Sequence, residues 1–313
     1  MPEKVLSLDP PMAMGELTLP KRPILQQATL AYILSGPALT LMFFLLIGPV
    51  ILVLLMSFTD YQLGEQSFSF VGLENYREMF GSDVFWKSLR NTIIYVATVV
   101  PVSTALGLGI ALLIESCSIW KAFYRAVYFL PVMATIVAMA IVWGFVLNPD
   151  FGLLNLVLGK VGIEGRNWLN DPATALFSIC SIGIWQTLGF NMVLFMAGLT
   201  SIPRELYDAA EMDGAGSGWD RFWTVTWPLL GPVTFFVVVI SSIRSFQVFD
   251  LVHVLTKGGP SKSTEVLIYS LYTEGFSFFR TSYAAAIAVV FLVFVMILTL
   301  IKSRFIEKKV HYA

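Results

Sequence analysis

The chain has 313 residues, 57% hydrophobic and only 13% charged, with a formal net charge of −1. Soluble domains carry roughly a quarter charged residues, so a mean hydropathy of +0.76 on this length excludes an ordinary water-soluble fold. The near-neutral balance, with no basic stripe, also argues against a nucleic-acid partner.

Residues 1–30 form a mostly polar, proline-containing tail, longer and less basic than the start of a signal peptide and with no small-residue cleavage site behind it. The apolar stretch that follows is therefore expected to be a retained first helix. Windows free of Asp, Glu, Lys and Arg occur at 23–59, 91–114, 126–149, 172–203, 222–243 and 281–301. Crossing the ~30 Å hydrocarbon layer takes roughly 20 apolar helical residues, and each window is long enough. The prediction is an all-α polytopic membrane protein with a six-span domain over 31–302. Its spans are placed at about 31–58, 90–114, 126–147, 173–200, 225–248 and 281–302, and a tail follows over 303–313.

An even number of spans puts both termini on one side. The bias of Lys and Arg, led by Lys302, Arg304, Lys308 and Lys309 after the last span, makes that side cytoplasmic. The outer connections, 60–90, 150–171 and 257–280, are too short for a further domain. Tyr61, Tyr95, Trp143 and Trp168 suit an interfacial aromatic belt, and Gly258-Gly259-Pro260 punctuates the last connection. Cys117 and Cys180 fall in different leaflets and are not expected to pair. His253 and His311 have no neighbours at metal-ligand spacing.

In the fourth span, Trp185, Gln186 and Asn191 combine a stacking surface with amides. In the fifth, Ser241, Arg244 and Ser245 recur on one helical face, flanked by Gln247. Polar groups within a membrane default to functional hypotheses, and a sugar offers hydroxyl edges and C–H faces to such a set. Hydrogen bonding between helices explains Ser and Asn equally well. Arg244 could pair with Asp250, snorkel to the outer interface, or meet an anionic solute.

The inner connection 201–224 carries more information than a linker. Ser201 can cap a helix, Pro203 suits its first turn, and Glu205 favours its positive end. Leu206, Ala209 and Ala210 share a small-residue face, Asp208, Glu211 and Asp213 form an acidic edge, and Gly214 supplies the stop. A flat face of this kind lets another protein surface approach closely.

This segment resembles the signature of the integral membrane subunits of binding-protein-dependent ABC importers: Glu-Ala-Ala, three residues, Gly, then Leu-Pro. Here it reads Asp208-Ala209-Ala210, Gly214 and Trp227-Pro228. Asp replaces Glu, Trp replaces Leu, and the stretch from Gly214 to Pro228 is one residue longer than in maltose-type relatives, the surplus being placed at the Ser217-Gly218 turn. Similarity to the carbohydrate-uptake branch extends through Phe129-Leu130-Pro131, Asn148-Pro149-Asp150, Gly189-Phe190-Asn191, Ser201-Ile202-Pro203, Phe249-Asp250 and Gly258-Gly259-Pro260.

The resemblance implies a type I ABC importer permease fold in the bacterial inner membrane. It also implies that Glu205, Asp208, Ala209, Ala210, Glu211, Asp213, Gly214 and Pro228 couple the spans to an ATPase. The implied partners are a second homologous permease, two copies of a cytoplasmic ATPase subunit, an extracytoplasmic solute-binding protein and lipid. No Gly-x-x-x-x-Gly-Lys-Ser/Thr phosphate loop occurs in the 313 residues, so the chain is expected to be a non-catalytic transport subunit with no cofactor of its own, ATP and Mg lying in the ATPase. The expected cargo is a sugar, oligosaccharide or polyol, or alternatively glycerol 3-phosphate or another acidic polyol. Among rivals, an ion-coupled secondary carrier would want a carboxylate inside a span, and the six windows hold none; a receptor or structural membrane protein would associate with no ATPase.

Overall fold

The computed structural model describes residues 24–117 and 119–307. The expected tails over 1–23 and 308–313 lie outside the described residues. Among those described, regular structure is helical apart from one isolated antiparallel bridge between Thr59 and Phe70.

The chain divides at Leu52/Val53 into two units. The first contains the helical stretch α1: Ile24–Met42, a π turn at Phe43–Ile47, and the start of Gly48–Met56. The helix thus begins six residues before the expected edge of the tail. Its described side chains are apolar around the whole circumference and none is buried, the pattern of a helix whose solvent is lipid or protein rather than water.

The second unit holds the remaining spans. Asp83–Ser116 (α3) follows a short helix, Glu74–Gly81 (α2), and is far longer than the expected 90–114. The expected third span is not one helix. Lys121–Met133 (α4) and Ile136–Val146 (α5) meet at 99°. Pro131 removes a hydrogen bond near the end of α4, and Ala134 and Thr135 then take up extended backbone. After the short Leu153–Lys160 (α6), Ala175–Thr200 (α7) runs through the middle of the unit.

Glycines let its neighbours close on α7. A Cβ on Gly183 would stand 2.2 Å from the Tyr95 hydroxyl oxygen of α3, one on Gly189 would stand 2.1 Å from the Tyr128 carbonyl oxygen of α4, and one on Gly198 would meet Val233 at 2.8 Å. Small residues at membrane helix interfaces permit this close approach and the dispersion contact it brings. Tyr95, expected as an interfacial anchor, is instead 4% exposed in the core with Val99, Ile179 and Ile182.

Arg204–Met212 (α8) follows, then a helix over 218–229 (α9) made of Gly218–Arg221, a π turn at Phe222–Thr226 and Trp227–Leu229. Ser217 caps this helix, its Oγ accepting from the Asp220 N–H at 3.0 Å. A π turn holds one residue more than an α turn, so the surplus residue placed at Ser217-Gly218 has room inside the helix itself. The fifth span is Gly231–Phe246 (α10), broken at 247–249 and resumed as Asp250–Leu255 (α11). Leu267–Tyr272 (α12) and Thr281–Glu307 (α13) complete the fold, α13 running past the expected end at 302. Cys117 and Cys180 are free thiols.

At the end opposite α8, the connection 256–266 is tied to the start of α3. Lys87 donates to the Ser261 carbonyl at 2.8 Å, Asn91 donates to the Glu265 carbonyl at 2.9 Å, and the Leu267 N–H reaches the Thr92 hydroxyl at 3.0 Å. Gly258 has φ +78 and lies against Glu265, so no side chain fits there. Glu265 is 1% exposed and bonded to Lys262 at 3.2 Å; burial raises its carboxyl above the ordinary range, opposed by Lys262.

Candidate functional site

Two places gather the residues singled out in the sequence. The first is α8. Pro203 precedes it at φ −60 and Glu205 sits in its first turn, where a carboxylate favours the helix dipole. Ser201 does not cap it; its hydroxyl donates to the Gly198 carbonyl at 2.7 Å and closes α7 instead. At the other end Gly214 takes φ +97, with the Ala215 N–H on Ala210 O at 2.9 Å and the Gly214 N–H on Glu211 O at 3.1 Å. This paired closure is what glycine after a helix provides.

The expected common face of Leu206, Ala209 and Ala210 divides. Ala210 turns inward with Tyr207 to pack near Leu199, Ile202 and Val225, and the Tyr207 hydroxyl meets that of Thr226 at 3.0 Å. Glu205, Leu206, Asp208, Ala209, Glu211, Met212 and Asp213 are exposed; Met212 is 89% so. Tyr207 decided this orientation, a residue the sequence reading gave no direction. Glu211 reaches Arg221 only at 3.5 Å. Pro228 is exposed further along, in α9, whose rings Trp219, Phe222, Trp223 and Trp227 stack along one edge.

The second place is a cavity of about 270 Å³ half-way along α7. Gln186 and Thr187 of α7 line it with Arg244 and Ser245 of α10. Gln247, Val248, Phe249 and Asp250 come from the break that follows, and Tyr95 and the bent α4–α5 pair close it. The structure thus brings Gln186, Arg244, Ser245 and Gln247 together. It does not bring Trp185, which packs edge-on against Trp143 at 5.4 Å.

Asn191 and Ser241 are also elsewhere. Both are fully buried: the Ser241 hydroxyl donates to Asn191 Oδ1 at 3.0 Å, and Asn191 Nδ2 donates to Ser103 Oγ at 3.2 Å. They tie α3, α7 and α10 together and face no solute in this conformation. Arg244 forms no ion pair with Asp250; its guanidinium lies 4.2 Å from the centre of the Phe190 ring, a favourable stacking of cation on π face. Tyr95, Thr187 and Asp250 are lining residues the sequence reading did not select. Thr187 had a signal, standing next to Gln186. Tyr95 had none, because Gly183 across the interface is what buries it.

The arrangement offers an exposed, firmly closed helix at one end and a small polar cavity in the membrane's depth. Residues 103–312 match the family described as binding-protein-dependent transport system inner membrane component. A probable ABC transporter permease protein, YurN of Bacillus subtilis, is 34% identical over 286 residues, covering 90% of this chain and 97% of that protein. The sn-glycerol-3-phosphate transport system permease protein UgpA of Agrobacterium fabrum is 34% identical over 284 residues, covering 90% and 96%. Among solved structures, a bacterial ABC transporter involved in the import of the acidic polysaccharide alginate superposes with a TM-score of 0.79 at 22% identity, covering 91% of this chain and 97% of that one. Fold, span pattern and family match agree: the chain belongs to the binding-protein-dependent transport system inner membrane components and is an ABC importer permease.

Proposed function

We propose that this permease carries a sugar or related polyol inward, driven by ATP hydrolysis in a separate subunit on which α8 docks. The observation that carries the reading is the state of α8. Both its ends are closed by their own hydrogen bonds, Tyr207 fixes it to the bundle, and its outward face presents Leu206, Ala209 and Met212 beside Asp208 and Asp213. A stiff exposed helix joined to α7 and α9 passes a push on its outer face to the spans, which is coupling between two sites.

In this reading the α8 end and both termini are cytoplasmic. Two ATPase copies hold the ATP and Mg, a second related permease completes the pathway, and a soluble binding protein delivers cargo from outside. The test is cross-linking from Met212→Cys in the assembled transporter. The expected result is an adduct with the ATPase whose yield changes on nucleotide binding. Failure of any ATPase to co-purify, or uptake in proteoliposomes that follows an ion gradient without ATP, would sink the reading.

Arg244 favours a second version, an acidic polyol such as the glycerol 3-phosphate named for the Agrobacterium relative. Its guanidinium lines the cavity without an ion pair and could meet a phosphate. Arg244→Gln should then raise KM for a phosphate-bearing cargo by about tenfold or more, the loss of one charge-assisted hydrogen bond. An equal effect on a neutral sugar would decide for neutral cargo.

A further inference from the structure

A second and larger cavity, about 590 Å³, lies behind α8, where the last turns of α3 and α7 meet α8 and α9. Its floor is apolar, with Leu112, Leu199 and Ile202. Arg204 and Arg221 line it beside Tyr207 and Thr226. Two helix C-termini end here, and their carbonyls are the natural partners for nearby cations. Those carbonyls are already taken by local hydroxyls. Ser116 donates to Leu113 O at 2.8 Å, Thr200 to Met196 O at 3.0 Å and Ser201 to Gly198 O at 2.7 Å. The carboxylate on the wall, Glu115, is held by Lys121 at 2.9 Å. Arg221 touches Glu211 only at 3.5 Å, and that carboxylate is 61% exposed; Arg204 forms no ion pair among the described residues. Two guanidinium groups with donors to spare therefore stand over an apolar floor.

We propose that this cavity is a binding site for a phosphate-bearing ligand, with Arg204 and Arg221 as the anion's partners. Guanidinium groups form paired, charge-assisted hydrogen bonds to phosphate oxygens, and the floor accommodates a carbon skeleton. The site is separate from the cavity half-way along α7. A ligand here bridges α8 to the ends of α3 and α7, so its presence stiffens the joint through which α8 moves the spans. That regulatory consequence rests on the coupling reading; the binding itself does not. The phosphate comes either from a soluble phosphorylated metabolite or from the headgroup of an anionic phospholipid.

The test uses the whole transporter in nanodiscs of phosphatidylcholine alone or doped with phosphatidylglycerol. Inorganic phosphate is the soluble probe, read by its ³¹P linewidth, and the melting temperature reads the lipid. The variants are Arg204→Gln together with Arg221→Gln, and Arg204→Gln alone, which breaks no ion pair and keeps the fold. Broadening of the phosphate signal that weakens at least about tenfold in the variants, one charge-assisted bond's worth, supports a soluble ligand. A rise in melting temperature with phosphatidylglycerol that the variants lose supports a lipid. Wild type and both variants responding identically to both probes overturns the proposal. Phosphate binding that depends on Arg204 in a chain that associates with no ATPase would leave this site standing and remove the coupling reading.

Discussion

The two ends of the second unit solve the same problem in opposite ways. At the end away from α8, the connection 256–266 spends its polar groups on the start of α3: Lys87, Asn91 and Thr92 each bind its backbone, and Glu265 is buried with Lys262. At the other end α8 satisfies only its own backbone and leaves a row of side chains exposed. The first connection is finished by its own chain. The second has a fixed shape and an unfilled surface, which is the condition for docking to something else.

The strongest way to break that contrast is to spoil the unfilled surface. Asp208→Lys with Gly214→Trp reverses a charge on the acidic edge and puts a bulky L residue at φ +97. Membrane insertion should persist while ATP-dependent uptake falls by about a hundredfold or more, roughly the loss of a 2.7 kcal/mol interaction. Normal uptake would remove α8 from the mechanism.

Next in size is Gly189→Val. The new Cβ would stand 2.1 Å from the Tyr128 carbonyl oxygen, pushing α4 off α7 and lowering stability by about 3 kcal/mol. Unfolding titrations in mixed micelles would measure it. An unchanged midpoint would mean that α4 is not seated on α7 as described.

Lys262→Met sharpens the account of the closed end. It strands a carboxylate that is 1% exposed, but Lys262 itself is 44% exposed in its side chain, so the loss should be about 1–2 kcal/mol rather than that of a fully buried pair. The pH sense follows from Glu265. Its carboxyl is raised in the folded protein, so the native state holds the proton more tightly than the unfolded chain. Stability is greatest in acid and declines as pH rises from the unfolded carboxyl value of 4.5 through the raised one. Lys262→Met should steepen that decline and Glu265→Gln should flatten it. A stability profile unaffected by Glu265→Gln would show that the carboxyl is not buried in solution.

The smallest effect expected is that of Asn191→Ala, about 1 kcal/mol for losing hydrogen bonds between membrane helices. Because Asn191 is fully buried, KM for cargo should not move. A shifted KM with unchanged stability would return Asn191 to the pathway.

The features legible in the sequence were those decided by a few neighbouring residues. Pro203, Glu205 and Gly214 specify the start and stop of α8 within a dozen positions, and charge-free windows specify spans because lipid demands them. The bend between α4 and α5 was hidden, since Ala134 and Thr135 forbid neither helix nor extended chain. The role of a polar residue inside a span was hidden as well, because a neighbour and a solute satisfy it equally. For Asn191 the deciding partner is distant: Gly107 brings α3 so near that a Cβ there would lie 2.8 Å from that of Asn191, which leaves Ser103 within reach and no room for cargo.

The π turn at Phe222–Thr226 acts as a phase setter for everything beyond it. Each α-helical residue advances the chain by about 100° around the axis, and the hydrogen-bond ladder continues past the turn through Leu230 N–H to Thr226 O and Thr234 N–H to Leu230 O. Deleting one residue there would rotate the downstream helix by about that angle, carrying Arg244 and Ser245 off the wall of the membrane cavity. The azimuth of residues deep in the bilayer is thereby written into a single supernumerary residue at its surface.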